Sequence, residues 1–329
     1  MATHYLYGTV LTGEAVAANN RGDNIGNTTT LQKVFHQDDV HTSVSAEAIR
    51  FALRYRFQLQ NPDKVNRSYD PESGKLDYED EKRTLWNPEK EVFMDDDIMG
   101  FMDAAAAKKE SEEVDEANEE TESVATKPAK GAKKPKAKGT TTKRPSPLAI
   151  GRAVSLRPYR GEISFNAVSG EKAKGKLSLY SAEMHTTEYQ YSFGLNLNDV
   201  VKKENISHLI AAIIDPPPVA GNHARFAYDF SPASIVLRVT SAHSSKIQNC
   251  FEHDQDNRTY TVQALIHKVE SGDIPAGELI IGGALASTSE GKQLQELGVR
   301  AFTGVVAASK EARNRISKLD TCFQVISTS

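Results

Sequence analysis

Apolar and polar positions along this chain fall into a few distinct rhythms. Residues 3 to 12, THYLYGTVLT, are rich in Tyr, Leu, Val and Thr and carry no charge apart from His4. That composition predicts a strand, and its apolar character on both faces predicts a central place in a sheet. Gly13 ends it. From about Ser43 to Gln58 the period becomes helical. Ile49, Leu53 and Phe57 recur at i, i+4 and i+8 with Ala46 and Ala52 beside them, which is one buried stripe. Glu47, Arg50 and Arg54 form a neighbouring stripe, and Thr42 or Ser43 is placed to cap the first turn. Between Gln60 and Met102 the pattern is irregular, as in an insertion of short elements, and MDDDIMGFM (94–102) mixes acids with apolar residues.

A globular rhythm returns at Ser146. Gly161–Val168 and Leu177–His185 flank SGEKAKGK, which reads as a hairpin with a basic tip. Tyr189, Tyr191, Phe193, Leu195 and Leu197 alternate with polar or small residues, giving the cleanest strand period in the chain. Asn205–Ile214 has helical spacing and is stopped by Pro216, Pro217 and Pro218. Residues Gly221–Val239 predict a strand pair interrupted at Pro232, and Tyr260–Val269 predicts another strand. Gly282 and Gly283 follow a short apolar strand. Two helices close the chain, Glu290–Leu297 with Gly298 as its C-cap and Lys310–Leu319. No internal repeat is visible. This order predicts an α+β fold with helices on one face of an antiparallel sheet, of which a four-stranded ferredoxin-like sheet is a specific version.

Residues 104–145 break with both rhythms. The first half is dominated by Glu, the second is Lys, Arg, Ala, Pro, Gly and Thr without an acid, and apolar anchors are almost absent. Such a segment cannot offset its ordering entropy, so a disordered charged linker is expected.

At 329 residues the chain holds one large domain or two ordinary ones, and 39% hydrophobic with 26% charged residues is globular on the polar side. A net charge of −4 gives no global basic signature. A nucleic-acid binder with this balance must concentrate positive charge locally. Cys250 and Cys322 lack metal-type spacing and read as reduced thiols of a cytosolic protein. The opening MATHYLYGTV lacks the order of a signal peptide, and no apolar run approaches the ~20 residues of a membrane helix, so a cytoplasmic protein without membrane contact is expected.

Candidate chemistry concentrates between Asn19 and Arg56. Asn19, Asn20, Arg21, Asn24 and Asn27 offer donors to phosphate and ribose oxygens, while Gly22 and Gly26 permit close backbone approach. A structural loop using Asn and Gly for turns is the alternative. The amides from Thr42 to Ser45 suit an anion at a helix start, and Arg50 and Arg54 reach a phosphate or pair with Glu47. Lys172, Lys174 and Lys176 at the hairpin tip reach another subunit or nucleic acid, or form a solvated turn; Asn222, His223 and Arg225 before an apolar strand reach the same ligand as the first loop, or are strand-edge residues with satisfied partners. No P-loop, HExxH, GxSxG or Cys/His metal spacing occurs. Nothing pairs His41, His185 or His223 with a second general acid or base, and no second acidic cluster completes a two-metal site for the 94–103 acids. No cofactor, no metal and no catalytic residue is expected.

NNRGDNIGN, LQK, HTSVSAEAIRFALR, DDDIMGFM, SPLAIGRAVSLRPYRGEISFN, HTTEYQYSFGLNL and GNHARFAYDFSPASIVLR together resemble the DevR family of CRISPR-associated proteins, in the expected order and outside 104–145. The resemblance implies a RAMP-superfamily backbone subunit of a type I-B Cascade complex, with an RRM-like palm, an inserted finger region and a thumb hairpin. It divides the chain into a first palm part (1–59), a finger insertion (60–103), the linker (104–145) and a second palm part (146–329) with the thumb near 160–190. It implies that copies line up along one guide RNA (crRNA) and that the guide pairs with the target DNA strand. The protein then reads backbone and shape, not sequence. Other Cascade subunits and either a nuclease-helicase or transposon-targeting proteins are the implied partners, and no nuclease activity is implied. On this resemblance Asn20, Arg21, Asn24, Asn27 and Lys33 sit on the guide backbone, joined by His41, Thr42, Ser43 and Arg50 and by Asn222, His223 and Arg225. A metal-independent RNA-processing endonuclease of the same superfamily and a DNA-binding autoregulator are the competing readings.

Overall fold

The structure, a computed structural model, describes residues 3–18, 21–36, 38–102, 143–167, 179–220, 228–256 and 259–327. Its first strand, β1 (Tyr5–Thr12), is the middle of a nine-stranded sheet. Leu6 and Val10 enter one apolar core and Leu11 the other, so both faces are buried as the sequence predicts. Antiparallel neighbours flank it, β15 (Tyr189–Asn196) and β16 (Pro232–Thr240). Beyond β15 lie β11 (Leu148–Ile150), β12 (Ala153–Ser155), β6 (Asp39–Val44) and β5 (Lys33–His36). Beyond β16 lie β19 (Leu279–Gly283) and, parallel to it, β20 (Arg300–Phe302). The close approach of β1 to β15 requires Gly8, because a Cβ there would lie 2.2 Å from Phe193.

Helices cover both faces, not one. α1 (Ala46–Gln60), the short α2 (Met94–Met99), α3 (Glu204–Ile214) and the closing α6 (Val305–Ser327) pack on the Leu6 and Val10 side. α4 (Gln263–Glu270) and α5 (Ser289–Glu296) pack on the Leu11 side. The stripe of α1 is as predicted, with Ile49, Ala52, Leu53 and Phe57 buried. Its start is not. Ser45 is the N-cap and accepts from Ala48 N at 3.2 Å, while Thr42 and Ser43 belong to β6.

A second sheet of five strands stands beside the first. The predicted 160–190 hairpin is present as β13 (Glu162–Ala167) and β14 (Leu179–Thr187). β14 also pairs with β2 (Ala15–Ala17) and, in parallel, with β4 (Thr28–Leu31), which pairs in turn with β3 (Arg21–Ile25). The amide-rich stretch is therefore a strand pair, turning at Gly26 with φ +61°, and not an open loop. Only Glu188 separates β14 from β15, so one run of chain belongs to both sheets.

Three ribbons complete the description: β7 (Arg67–Tyr69) with β8 (Leu76–Tyr78), β9 (Phe101–Met102) with β10 (Lys143–Arg144), and β17 (Glu252–Asp254) with β18 (Thr259–Thr261). Within the expected linker, Lys143 and Arg144 pair with Met102 and Phe101; residues 104–142 lie outside the described residues. The strand expected at Tyr260–Val269 is mostly α4. Leu265, Ile266 and Val269 are buried at helical spacing, and the Glu290 carboxylate accepts from Val262 N just before the first turn. Pro232 is the first residue of β16 and not a break within it, a position where a missing N–H costs little.

Candidate nucleic-acid interface

The β3–β4 turn carries Asn24 and Asn27, both exposed, with Ile25 exposed between them. It is sewn to β14 from below. Asn27 O accepts from Ser181 N at 3.2 Å, and the Thr28 and Ser181 hydroxyls lie 2.5 Å apart. The Glu183 carboxylate accepts from Leu31 N at 2.7 Å and from Lys33 Nζ at 2.6 and 2.7 Å. Lys33 Nζ also sits 4.8 Å from the Tyr159 ring centre. Burial, then the Glu183 charge, pushes the Tyr159 phenol up to about 12. Lys33 is thus a half-exposed, ion-paired group at the seam between the sheets. On β13, Ile163 and Phe165 share one face by strand alternation and are 51% and 86% exposed.

The β6 residues expected at the helix start face inward. His41 Nδ1 is 2.7 Å from Ser155 O, and burial lowers its pKa. The Thr42 hydroxyl lies 2.8 Å from both His185 Nδ1 and the Tyr189 hydroxyl, and burial pushes His185 down to about 4. Ser43 is fully buried. The Thr42 N–H donates to Ser155 Oγ and the Ser43 N–H to Gln32 O, so neither is a free first-turn amide. Arg50 donates to Leu148 O, Met99 O and Ser146 Oγ at 2.9 to 3.0 Å. Arg54 lies 3.5 Å from Asp95. Its partner is that acid and not Glu47, and burial lowers its pKa.

Sequence reasoning missed the role of Asp95, Asp96 and Asp97. A run of adjacent acids in an irregular stretch is ordinarily solvated, yet these three are almost fully buried on α2. Asp95 accepts from Asn66 N and Arg67 N and pairs with Arg54. Asp96 accepts from Asn66 Nδ2 at 2.7 Å and pairs with Arg83 at 3.0 Å. Burial, then the neighbouring Asp95, pushes Asp96 up to about 6. Asp97 accepts from Arg144, Val201 N, Lys202 N and Asn205 Nδ2. These acids neutralise arginines and clamp backbone, and no group of His, Cys, Asp or Glu set to hold a metal occurs among the described residues. The i, i+4 spacing of Met94 and Ile98 was the available signal for a buried helix. Gly100, φ +65°, then lets Arg144 O pass where a Cβ would lie 2.4 Å away.

Asn19, Asn20, Lys172, Lys174, Lys176, Asn222, His223 and Arg225 lie outside the described residues, and Arg21 is described by its backbone only. The geometry brings together Asn24, Asn27 and Lys33 around β3, β4 and β14, and leaves Arg50 and Arg54 bonded to α2 instead.

The model of the CRISPR-associated negative auto-regulator DevR/Csa2 family matches residues 10–271. The chain belongs to the DevR/Csa2 family. Over 321 residues, covering 95% of this chain and 97% of the relative, it is 36% identical to the CRISPR-associated protein Cas7/Cst2/DevR of Myxococcus xanthus (strain DK1622). Among solved structures, a chain of a CRISPR RNA-guided surveillance complex is similar over 94% of this chain and 99% of its own, with TM-score 0.56 and 12% identity. A chain of such a complex in a pre-nicking state gives TM-score 0.55 and 13% identity over 93% and 98%. The DevR/Csa2 chain thus shares its α+β fold with subunits of CRISPR surveillance complexes. None of its described helices is long and apolar enough to cross a membrane.

Proposed function

We propose that this chain is a guide-RNA-binding backbone subunit of a type I-B Cascade complex, with copies of itself arrayed along one crRNA. The observation that carries the reading is the five-stranded sheet β13–β14–β4–β3, with β2. It joins the amide-bearing turn of 21–31 to the 160–190 hairpin in one hydrogen-bonded sheet. A turn that presents amides and backbone N–H groups, anchored to the paired strands β13 and β14, suits a ribose-phosphate chain held without reading its bases.

In this reading the palm is the strand set β16–β1–β15–β12 with α1 and α3, an order that fits a ferredoxin-like unit. Residues 60–103 are the finger and 160–190 the thumb. Asn19, Asn20, Arg21, Asn24 and Asn27 hold the guide, with Lys33 at their base. Lys172, Lys174 and Lys176 act from the thumb tip, and Asn222, His223 and Arg225 from the segment before β16. His41, Thr42, Ser43, Arg50 and Arg54 serve as struts, because their polar atoms are engaged inside the protein. The exposed Ile163 and Phe165 support contact with a second copy or with the guide itself. The target strand is read by the guide through base pairing, other Cascade subunits and a recruited nuclease-helicase or transposition system act downstream, and the complex works in the cytoplasm as a non-catalytic scaffold.

Purifying the full chain from cells that carry a CRISPR array tests this. The expected result is a nucleic-acid absorbance ratio and bound RNA of repeat–spacer length. Arg21→Ala with Lys33→Ala should lower retention equally for guides of any sequence. A nucleic-acid-free protein would refute the scaffold. Discrete metal-free cleavage products abolished by His41→Ala would favour the nuclease, and base-specific duplex binding without RNA would favour the autoregulator.

A further inference from the structure

Arg152, Arg160 and Arg300 are the exposed arginines among the described residues. Arg300 approaches Glu311 at 4.0 Å, and Arg160 stands beside Gly161 at the root of the β13–β14 hairpin. Arg152 differs from both in being positioned without being neutralised. Its Nη1 donates to Gln32 Oε1 and to Ser43 Oγ, each at 3.2 Å, and it makes no ion pair among the described residues. Most other described arginines are satisfied by acids: Arg54, Arg56, Arg83, Arg144, Arg157, Arg238 and Arg315 all pair with Asp or Glu.

The two acceptors are themselves fixed. Ser43 is fully buried in β6, opposite Val154 of β12, and its backbone N–H donates to Gln32 O at 2.9 Å. Gln32 is the single residue between β4 and β5, the point where the chain passes from the amide-bearing sheet into the main sheet. Val44 enters the core beneath α1, so by alternation the Ser43 hydroxyl and the guanidinium on it face away from that core. Nη1 is held by two neutral oxygens, the residue as a whole is exposed, and the guanidinium has further N–H donors that these two bonds do not use.

We infer that Arg152, oriented by Gln32 and Ser43, is a phosphodiester-binding residue that extends the guide-RNA track from the β3–β4 turn across the seam between the two sheets. A preoriented, un-neutralised guanidinium presents the planar fork that matches phosphate oxygens and retains its full charge for it. Placement at the chain's crossing from β4 to β5 favours a strand already held by that turn over an acidic protein partner. The inference rests on the guide-strand reading above, and its test separates the two.

The full-length protein, freed of nucleic acid, is titrated with fluorescein-labelled single-stranded polyuridine and with a mixed-sequence RNA of equal length across a salt series. Loss of one phosphate contact removes about 0.7 from the slope of log affinity against log salt. This corresponds to about a fivefold weakening at 0.1 M salt. Arg152→Ala should show that change on both RNAs, Arg152→Lys should largely restore the slope, and Arg300→Ala should match wild type. Melting temperatures verify that each variant is folded. Wild-type binding with an unchanged slope in Arg152→Ala overturns the site and leaves the guide-strand reading standing. So does an Arg152→Lys variant that behaves like Ala. A wild-type chain that binds neither RNA overturns both.

Discussion

Asp97→Ala is the sharpest test of how the 60–103 stretch is attached to the main sheet. The Asp97 side chain is fully buried and meets Arg144 Nη2 at 2.7 Å, while Arg144 keeps only 15% of its side-chain surface. Removing one member of a buried pair strands the other charge, which costs about 3–5 kcal/mol. Val201 N, Lys202 N and Asn205 Nδ2 lose an acceptor in the same step, at about 1–3 kcal/mol for each that water cannot reach. Water entering the vacated volume offsets part of this, so a net loss of about 4 kcal/mol is expected, against a typical total of about 5–15. Trp86, the only tryptophan, lies 4.6 Å from the Arg144 guanidinium and reports on this junction by fluorescence. Urea unfolding followed by Trp86 and by far-ultraviolet circular dichroism gives the local and global losses. Asp97→Asn should lose about half as much, because one acceptor oxygen remains. A double-mutant cycle with Arg144→Ala should return a coupling of about 2 kcal/mol or more. A loss below about 1 kcal/mol in Asp97→Ala would refute the view that this carboxylate holds the insertion, the 201–202 backbone and α3 together.

Asp96, pushed up to about 6 by burial, binds its proton more tightly in the folded protein than in the unfolded chain, so its contribution is greatest at low pH and is lost as pH rises through about 6. Asp96→Asn mimics the protonated acid. Its stability relative to wild type should rise by about 2 kcal/mol between pH 4 and pH 7 in urea midpoints, and a flat difference would contradict this. Arg50→Lys should lose about 1–3 kcal/mol in the same assay, since an ammonium cannot reach Leu148 O, Met99 O and Ser146 Oγ together, yet leave the salt slope of RNA binding unchanged; a changed slope in a normally stable variant would return Arg50 to the guide track. Gly8→Ala should cost about 1–3 kcal/mol through the clash with Phe193, and Phe193→Leu should recover part of it by thermal melting.

The parts of the fold with strong periodicity were legible in the sequence. β1, the stripe of α1, the alternation of β15 and the proline stop after α3 all follow from apolar spacing alone. The start of α1 was misplaced because Thr42, Ser43 and Ser45 offer the same hydroxyl chemistry. Only the pairing of β6 with β5 and β12 decides which of them is free to cap. The second covered face escaped notice because short α4 reads as a strand and the burial of α4 and of the expected α5 depends on a sheet wider than the four strands expected. Asp95, Asp96 and Asp97 were misread for a deeper reason. A run of acids is ordinarily solvated, and their partners Arg54, Arg83 and Arg144 come from distant stretches that only the folded chain brings together. The same holds for Arg152, whose orienting residues Gln32, at the β4–β5 junction, and Ser43, on β6, are far from it in sequence.

Met102 and Lys143 face each other across a two-residue antiparallel ribbon. Everything between them is spliced into the body through one narrow doorway, whose frame is set by Gly100 and by the Arg144 bonds to Asp97. Closing a loop at such a doorway depends only weakly on its length, so lineages are free to lengthen, trim or recharge the spliced stretch while the body stays as it is. For the same reason it is the place to graft a fluorophore, an affinity handle or a fused effector.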